Sequence, residues 1–183
     1  MRMSMRTSVW LLLSIACTTA FAETGAAEPY CRGHAGFDQF DFWLGEWDVY
    51  AGEDYGKLVG RNRIERNARG CVVEENWLNT SGTDGVSLRY FDPGSESWRM
   101  FWVSDGYSVE TEGTQLEPGV MLLQGDIHYF ADDVVTGFRV RFTANADGTV
   151  RQFAEQLDPK TAEWVAWFDG LYRKTKDKDK ETN

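Results

Sequence analysis

Phe40-Asp41-Phe42-Trp43-Leu44-Gly45-Glu46-Trp47-Asp48-Val49-Tyr50 is the stretch on which the fold turns. An aromatic segment runs into Gly-x-Trp, and the hydrophobic period then changes. Phe37, Phe40 and Leu44 recur at helical spacing with Asp38 and Asp41 between them, so 37–44 reads as one or two helical turns. From Glu46 onward, aromatic and β-branched residues alternate with polar ones in short runs bounded by turn residues, which is the pattern of strands. Runs at 46–51, 57–66, 71–79, 85–91, 97–104, 107–114, 119–128, 136–144, 149–157 and 163–173 predict ten of them. No helical pattern of useful length separates these runs, so parallel crossovers are not expected. Neighbouring strands then pair as a meander. A meander this wide must curl, and closure removes both of its edges. The expected fold is all-β: an antiparallel up-and-down closed barrel of about ten strands behind a short N-terminal helical turn. A two-sheet sandwich is the alternative.

The turns support the strand boundaries. Asn67-Ala68-Arg69-Gly70 and Asn145-Ala146-Asp147-Gly148 suit type I turns with Gly in the left-handed position. Asp92-Pro93 to Trp98 and Asp158-Pro159 to Trp164 share D-P-x-x-x-x-W. In both, Pro fixes φ at the first corner, the Asp side chain accepts from turn amides, and Trp opens the returning strand.

Outside the barrel, residues 1–22 read as a secretory signal peptide. Arg2 and Arg6 precede the apolar run at 9–16, and Ala20-Phe21-Ala22 gives a cleavage site. The run is too short to span a bilayer, which takes about 20 residues. A competing reading makes Cys17 the lipid-bearing residue of a lipoprotein. Residues 23–36 read as a loose arm, 37–173 as the barrel, and 174–183 as a solvated, disordered tail without an apolar residue. The chain carries a net charge of −10, more negative still once Arg2 and Arg6 are cleaved, and such a surface repels nucleic acid and anionic membrane. Cleavage would leave Cys31 and Cys71, which read as one disulfide in an oxidising compartment. The expected location is secreted or periplasmic.

The Gly45-Glu46-Trp47 start resembles that of calycin barrels: lipocalins, fatty-acid-binding proteins and the nitrobindin-like group. The whole 40–50 string is similar to that of a group of uncharacterised exported bacterial proteins. In lipocalins the Trp of this motif plugs the closed end and an Arg of the last strand lies across it. The resemblance implies that Trp47, with Trp43, plugs one barrel end and that Arg173 covers it. The lipocalin T-D-Y motif is absent, and ten strands suit the fatty-acid-binding or nitrobindin-like barrels better. Nitrobindin-like barrels hold haem through a His near the C-terminus. The last two predicted strands contain no His, so no cofactor is expected.

Buried charge is the sharper functional clue, because polar groups inside a barrel need partners. Pairing across 67–70 puts Asn62, Ile64, Val73, Glu75 and Trp77 on one face, which suits the interior. Arg63 and Glu74 share the other, which suits solvent. Asn62 and Glu75 beside Trp77 make a polar spot in an apolar wall, as in a pocket for an amphipathic ligand. Glu75 pairing with Arg89 or Arg141 is the structural alternative. Across the Asp92 turn, Ser87, Arg89, Trp98, Met100 and Trp102 share one face, and Leu88, Tyr90, Phe101 and Val103 the other. Both are rich in apolar residues, and the pattern alone does not choose the inward one. The candidate ligand-binding residues are Asn62, Glu75, Trp77, Arg89, Trp98 and Trp102.

Catalysis has less support. His34 and His128 lie far apart in the chain, and no nucleophile elbow, P-loop, dinucleotide fingerprint or metal spacing is present. Asp126, Asp132 and Asp133 read as a solvated loop, so no metal is expected. The functional expectation is an exported barrel that binds a small hydrophobic or amphipathic molecule. One alternative is a barrel isomerase or cyclase using a buried Glu75, its pKa raised toward neutrality, with Asn62 and Arg89. The other is an envelope scaffold, which predicts an exposed apolar patch and no internal pocket.

Overall fold

The structure is a computed structural model, and it describes residues 28–176. The expected leader, Cys17 and the residues beyond 176 lie outside this range. Ten strands follow one another: β1 (Gly45–Ala51), β2 (Lys57–Asn67), β3 (Val72–Asn79), β4 (Asp84–Asp92), β5 (Ser97–Ser104), β6 (Tyr107–Glu117), β7 (Val120–Tyr129), β8 (Val134–Ala144), β9 (Val150–Leu157) and β10 (Trp164–Lys174). Each pairs antiparallel with its sequence neighbour, and β1 pairs with β10, so the barrel is closed. Lys174, expected in the tail, belongs to β10 and stands opposite Trp47.

Two 3-10 segments precede the barrel. Tyr30–Arg32 forms a 3-10 turn, and Ala35–Trp43 a longer 3-10 segment. His34 starts the second, its Nδ1 accepting from the Gly36 N–H at 3.1 Å. This segment closes one barrel end. Phe37, Phe40 and Trp43 are buried, and Phe40 packs edge-on against Trp98 and Phe142. Several bonds hold it there. Cys31 and Cys71 form a disulfide, with Cα atoms 5.0 Å apart. Arg66 of β2 donates to the Phe37 carbonyl at 2.6 Å and from Nε to Asp41 at 2.8 Å. Trp47 Nε1 donates to the Trp43 carbonyl at 2.8 Å, and Trp98 Nε1 to Gln39 at 2.9 Å. Gly36 is required by close approach, since a Cβ there would lie 2.3 Å from the Phe91 ring.

The closed end, or floor, lies beside the 67–72, 92–97, 117–120 and 144–150 turns. The other end is the mouth. There β10 departs from regularity in two ways. Its register against β9 shifts between Ala166 and Phe168, leaving Trp167 as the extra residue of a bulge. Its ladder with β1 runs only from Gly170 to Lys174, so within 164–169 every residue but the bulged Trp167 pairs with β9 and none with β1.

The two D-P-x-x-x-x-W turns adopt one solution. Asp92 accepts from the Gly94 N–H, Asp158 accepts from the Lys160 and Thr161 N–H groups, and the residue four past each Asp (Glu96, Ala162) has positive φ. The following Trp residues fare differently. Trp98 is buried in the floor, whereas Trp164 lies outside under the Arg139 guanidinium. The 67–70 turn departs from the expected type I: Ala68, Arg69 and Gly70 all have positive φ, so the left-handed twist starts two residues before the glycine. In the 145–148 turn only Gly148 does, as expected.

Backbone N–H donors hold the Asp92 and Asp158 carboxyls below their ordinary value of 3.8, and the Thr149 hydroxyl and N–H do the same for Asp147. A depressed folded pKa means that the unfolded chain binds more protons in acid. The associated stability is present above the ordinary value and is lost as pH falls through the depressed ones. Asn at all three positions keeps an accepting Oδ1 in each turn but does not titrate. The triple Asp92→Asn, Asp147→Asn, Asp158→Asn variant is therefore expected to lose stability less steeply below about pH 4. Urea unfolding midpoints against pH measure this, and parallel curves for variant and parent would count against it.

Candidate functional site

Alternation along β2 and β3 decides which side chains reach the interior. Asn62, Ile64, Val73 and Glu75 are all buried, with Asn62 opposite Trp77 and Ile64 opposite Glu75. In the β4–β5 hairpin the inward face is the one with Ser87, Arg89, Trp98, Met100 and Trp102. Leu88, Tyr90, Phe101 and Val103 point out and stay 40–46% exposed, so an apolar stripe marks the outer wall.

Just above the floor these inward residues form one polar cluster. Glu75 accepts from Asn62 Nδ2 at 2.6 Å on one oxygen. On the other it accepts from Ser87 Oγ at 2.7 Å and Arg89 at 2.9 Å. Arg89 also donates to Ser87 Oγ at 2.8 Å. The ion pair is sealed, with side chains 1% (Arg89) and 4% (Glu75) exposed. The Arg89 guanidinium lies 4.2 Å from the Trp43 ring centre and 5.2 Å from that of Phe142, so the positive charge rests on the aromatic floor. Burial lowers the Arg89 pKa, and Glu75 opposes the shift. The Tyr172 hydroxyl donates to Gln152 and accepts from Asn62 at 3.4 Å. Burial, and then the charge of Glu75, hold its phenol well above the ordinary value.

Above the cluster lies a cavity of about 140 Å³. Glu75, Arg89, Gln152 and Tyr172 supply its polar side, and Met100, Val109 and Val140 part of its apolar wall. Toward the mouth, Trp77, Trp102, Tyr107, Phe138, Trp167 and Phe168 surround it. Trp167 and Phe168 are consecutive, and a regular strand would send them to opposite faces. The bulge brings both to the cavity. Trp167 Nε1 donates to the Tyr129 hydroxyl at 3.0 Å, and its ring meets Tyr107 and Phe138 edge-on. Burial raises the Tyr107 phenol above its ordinary value.

Of the sequence candidates, Glu75, Trp77, Arg89 and Trp102 line the cavity. Asn62 stands behind Glu75 as its donor, and Trp98 belongs to the floor. Trp43 and Trp47 are buried at the closed end. The cation over Trp47 is Lys174, 3.8 Å from its ring centre, whereas Arg173 lies outside over Tyr50 at 4.4 Å. The reason is register: Trp47 stands opposite Lys174, and directly opposed residues share a face, so Arg173 faces the other way beside Asp48. Tyr172, Gln152 and the Trp167–Phe168 pair were not anticipated. Tyr172 and Gln152 had a readable signal, the alternation of β9 and β10 near the C-terminus, while the bulged pair had none.

Several buried polar atoms lack partners: Trp43 Nε1, Asn62 Oδ1, Arg89 Nε, Trp102 Nε1 and Thr111 Oγ. The Tyr107 hydroxyl is near Trp102 and is influenced by it, but the two do not meet in hydrogen-bond geometry. Among the described residues no group of three or more His, Cys, Asp or Glu side chains converges as a metal site. In comparisons with known proteins, no family model matches the chain, and no curated protein matches it significantly.

Proposed function

We propose that this barrel is an exported binding protein that holds a small hydrophobic or amphipathic molecule in its interior. The observation that carries the reading is the cavity itself: aromatic walls around a polar side where Arg89 has an unpartnered N–H. A buried donor without a partner costs about 1–3 kcal/mol, and a guest that accepts from it recovers part of that cost. Apolar walls with few convergent polar groups are what small-molecule sites share.

The hydrogen bonding favours binding over proton transfer. Both Glu75 oxygens already accept, from three donors that include a guanidinium, and this leaves little freedom to carry a proton. The apolar stripe of β4 and β5 suits a scaffold, but a scaffold needs no cavity.

The test is titration with 1-octanol, followed by Trp fluorescence, together with native mass spectrometry of the purified protein. Val140 is buried and lines the cavity, so Val140→Phe fills it. Saturable octanol binding is expected for the parent and its loss for Val140→Phe, with circular dichroism unchanged. Equal binding by both proteins would place the guest elsewhere, and no binding by the parent to any amphiphile would end the reading.

A further inference from the structure

The cavity's size, its free donors and its charge balance together narrow the guest, and the argument rests on the binding reading above. A volume of about 140 Å³ matches cavities of about 150 Å³ that admit a single benzene ring. The flat faces of Trp77, Trp102 and Phe138 suit a ring better than a flexible chain.

Two donors around this space are unpartnered. Arg89, 1% exposed, carries five N–H groups but makes only two hydrogen bonds, and Nε makes none. Trp102 Nε1 also lacks a partner. The two residues are diagonal neighbours on one inward face, since Arg89 stands opposite Met100 and Ser87 opposite Trp102. Unfilled donors call for a guest that accepts.

Charge decides what kind of acceptor. Glu75 already neutralises Arg89 at 2.9 Å, so the pair as a whole offers no net charge to a guest. A carboxylate guest would leave one uncompensated negative charge beside the buried ion pair, inside a protein of net charge −10. Burying an unpaired ion costs far more than one hydrogen bond returns. A cationic guest would bury an unpaired charge in the same way, because Glu75 is already taken by Arg89.

We infer that the cavity takes a neutral single-ring molecule with one hydrogen-bond acceptor, such as a ketone, ester, lactone or amide, its oxygen directed at Arg89 and Trp102. Fatty acids and other anions are disfavoured by the paired Glu75.

Three probes of similar size separate the terms: acetophenone, benzoate and ethylbenzene. Titration followed by ¹H–¹⁵N spectra of the Trp indole N–H groups reads both affinity and site. Acetophenone should bind about tenfold or more tighter than benzoate and several-fold tighter than ethylbenzene, and it should shift the Trp102 indole signal. Trp102→Phe keeps an aromatic ring and deletes the N–H. It should weaken acetophenone about three- to tenfold and leave ethylbenzene unchanged. Tighter binding of benzoate overturns the charge argument. Equal binding of acetophenone and ethylbenzene, or a Trp102→Phe variant that weakens both alike, overturns the acceptor argument. If octanol or octanoate binds in the cavity while acetophenone does not, the inference fails and the binding reading stands. If nothing binds, both fail.

Discussion

Arg89→Met is expected to destabilise the barrel by about 3–5 kcal/mol, enough to unfold a marginal domain. Methionine matches the stem of Arg89 in length and flexibility, so the loss is not chiefly one of packing. What it removes is the only positive charge bonded to Glu75 among the described residues, and the carboxylate, 4% exposed, then keeps the Asn62 and Ser87 donors. Ser87 Oγ loses a donor as well, and the Trp43 ring loses its cation. The double variant Glu75→Leu, Arg89→Met should recover most of the loss, because no charge is then left buried. Urea midpoints of the parent, both single variants and the double variant form the cycle. A single variant as stable as the double would show that Glu75 finds water or another partner, and the picture of a sealed pair would be wrong.

Cys31→Ser or Cys71→Ser is expected to cost about 3–4 kcal/mol in the chain-entropy model, given the sequence separation of 40 between the bridged residues. The loss should be uneven. The 3-10 segment over the floor has no sheet ladder of its own and depends on the disulfide, Arg66 and the two indole N–H bonds, whereas every strand is paired. Hydrogen exchange resolved by segment should show 30–44 losing protection first and the strands much later. Equal loss everywhere would refute the view of this segment as a separately pinned floor. Exposure of Trp43 and Phe40 in the loosened form would also open the Arg89 site to water from below.

Where turns pinned the register, inward faces were legible from residue types alone. The 67–70 turn sets β2 against β3, and with it Asn62, Glu75 and Trp77. The β4–β5 hairpin defeated the same reasoning because the hydrophobic signal is present on both faces. Leu88, Tyr90, Phe101 and Val103 look like core and are outside. Only the charge of Arg89, which needs Glu75, marks the true inner face; the sequence offers Arg89 and Arg141 equally as partners of Glu75, and the fold selects Arg89. Arg173 and Lys174 differ by one position, and one position in a strand reverses the face. Trp167 and Phe168 lay beyond period-two reasoning because the bulge that turns both inward leaves no mark in composition.

The half-paired β10 gives the cylinder an uneven stiffness. At the floor the hydrogen-bonded hoop is unbroken, since β1 and β10 are laced from Gly170 to Lys174. At the mouth the hoop is cut along 164–169, and the cut is spanned by side chains, through the Tyr55 hydroxyl donating to Asp169 near its inner end and the Trp77 ring meeting Phe168 edge-on. The molecule is therefore built like a split collet, rigid at its base and compliant at its rim. Radial strain at the rim spreads this slit without breaking a rung of any ladder, and it dies away before it reaches the base. The aromatic jaws can part while the strands that carry the Glu75–Arg89 pair stay laced.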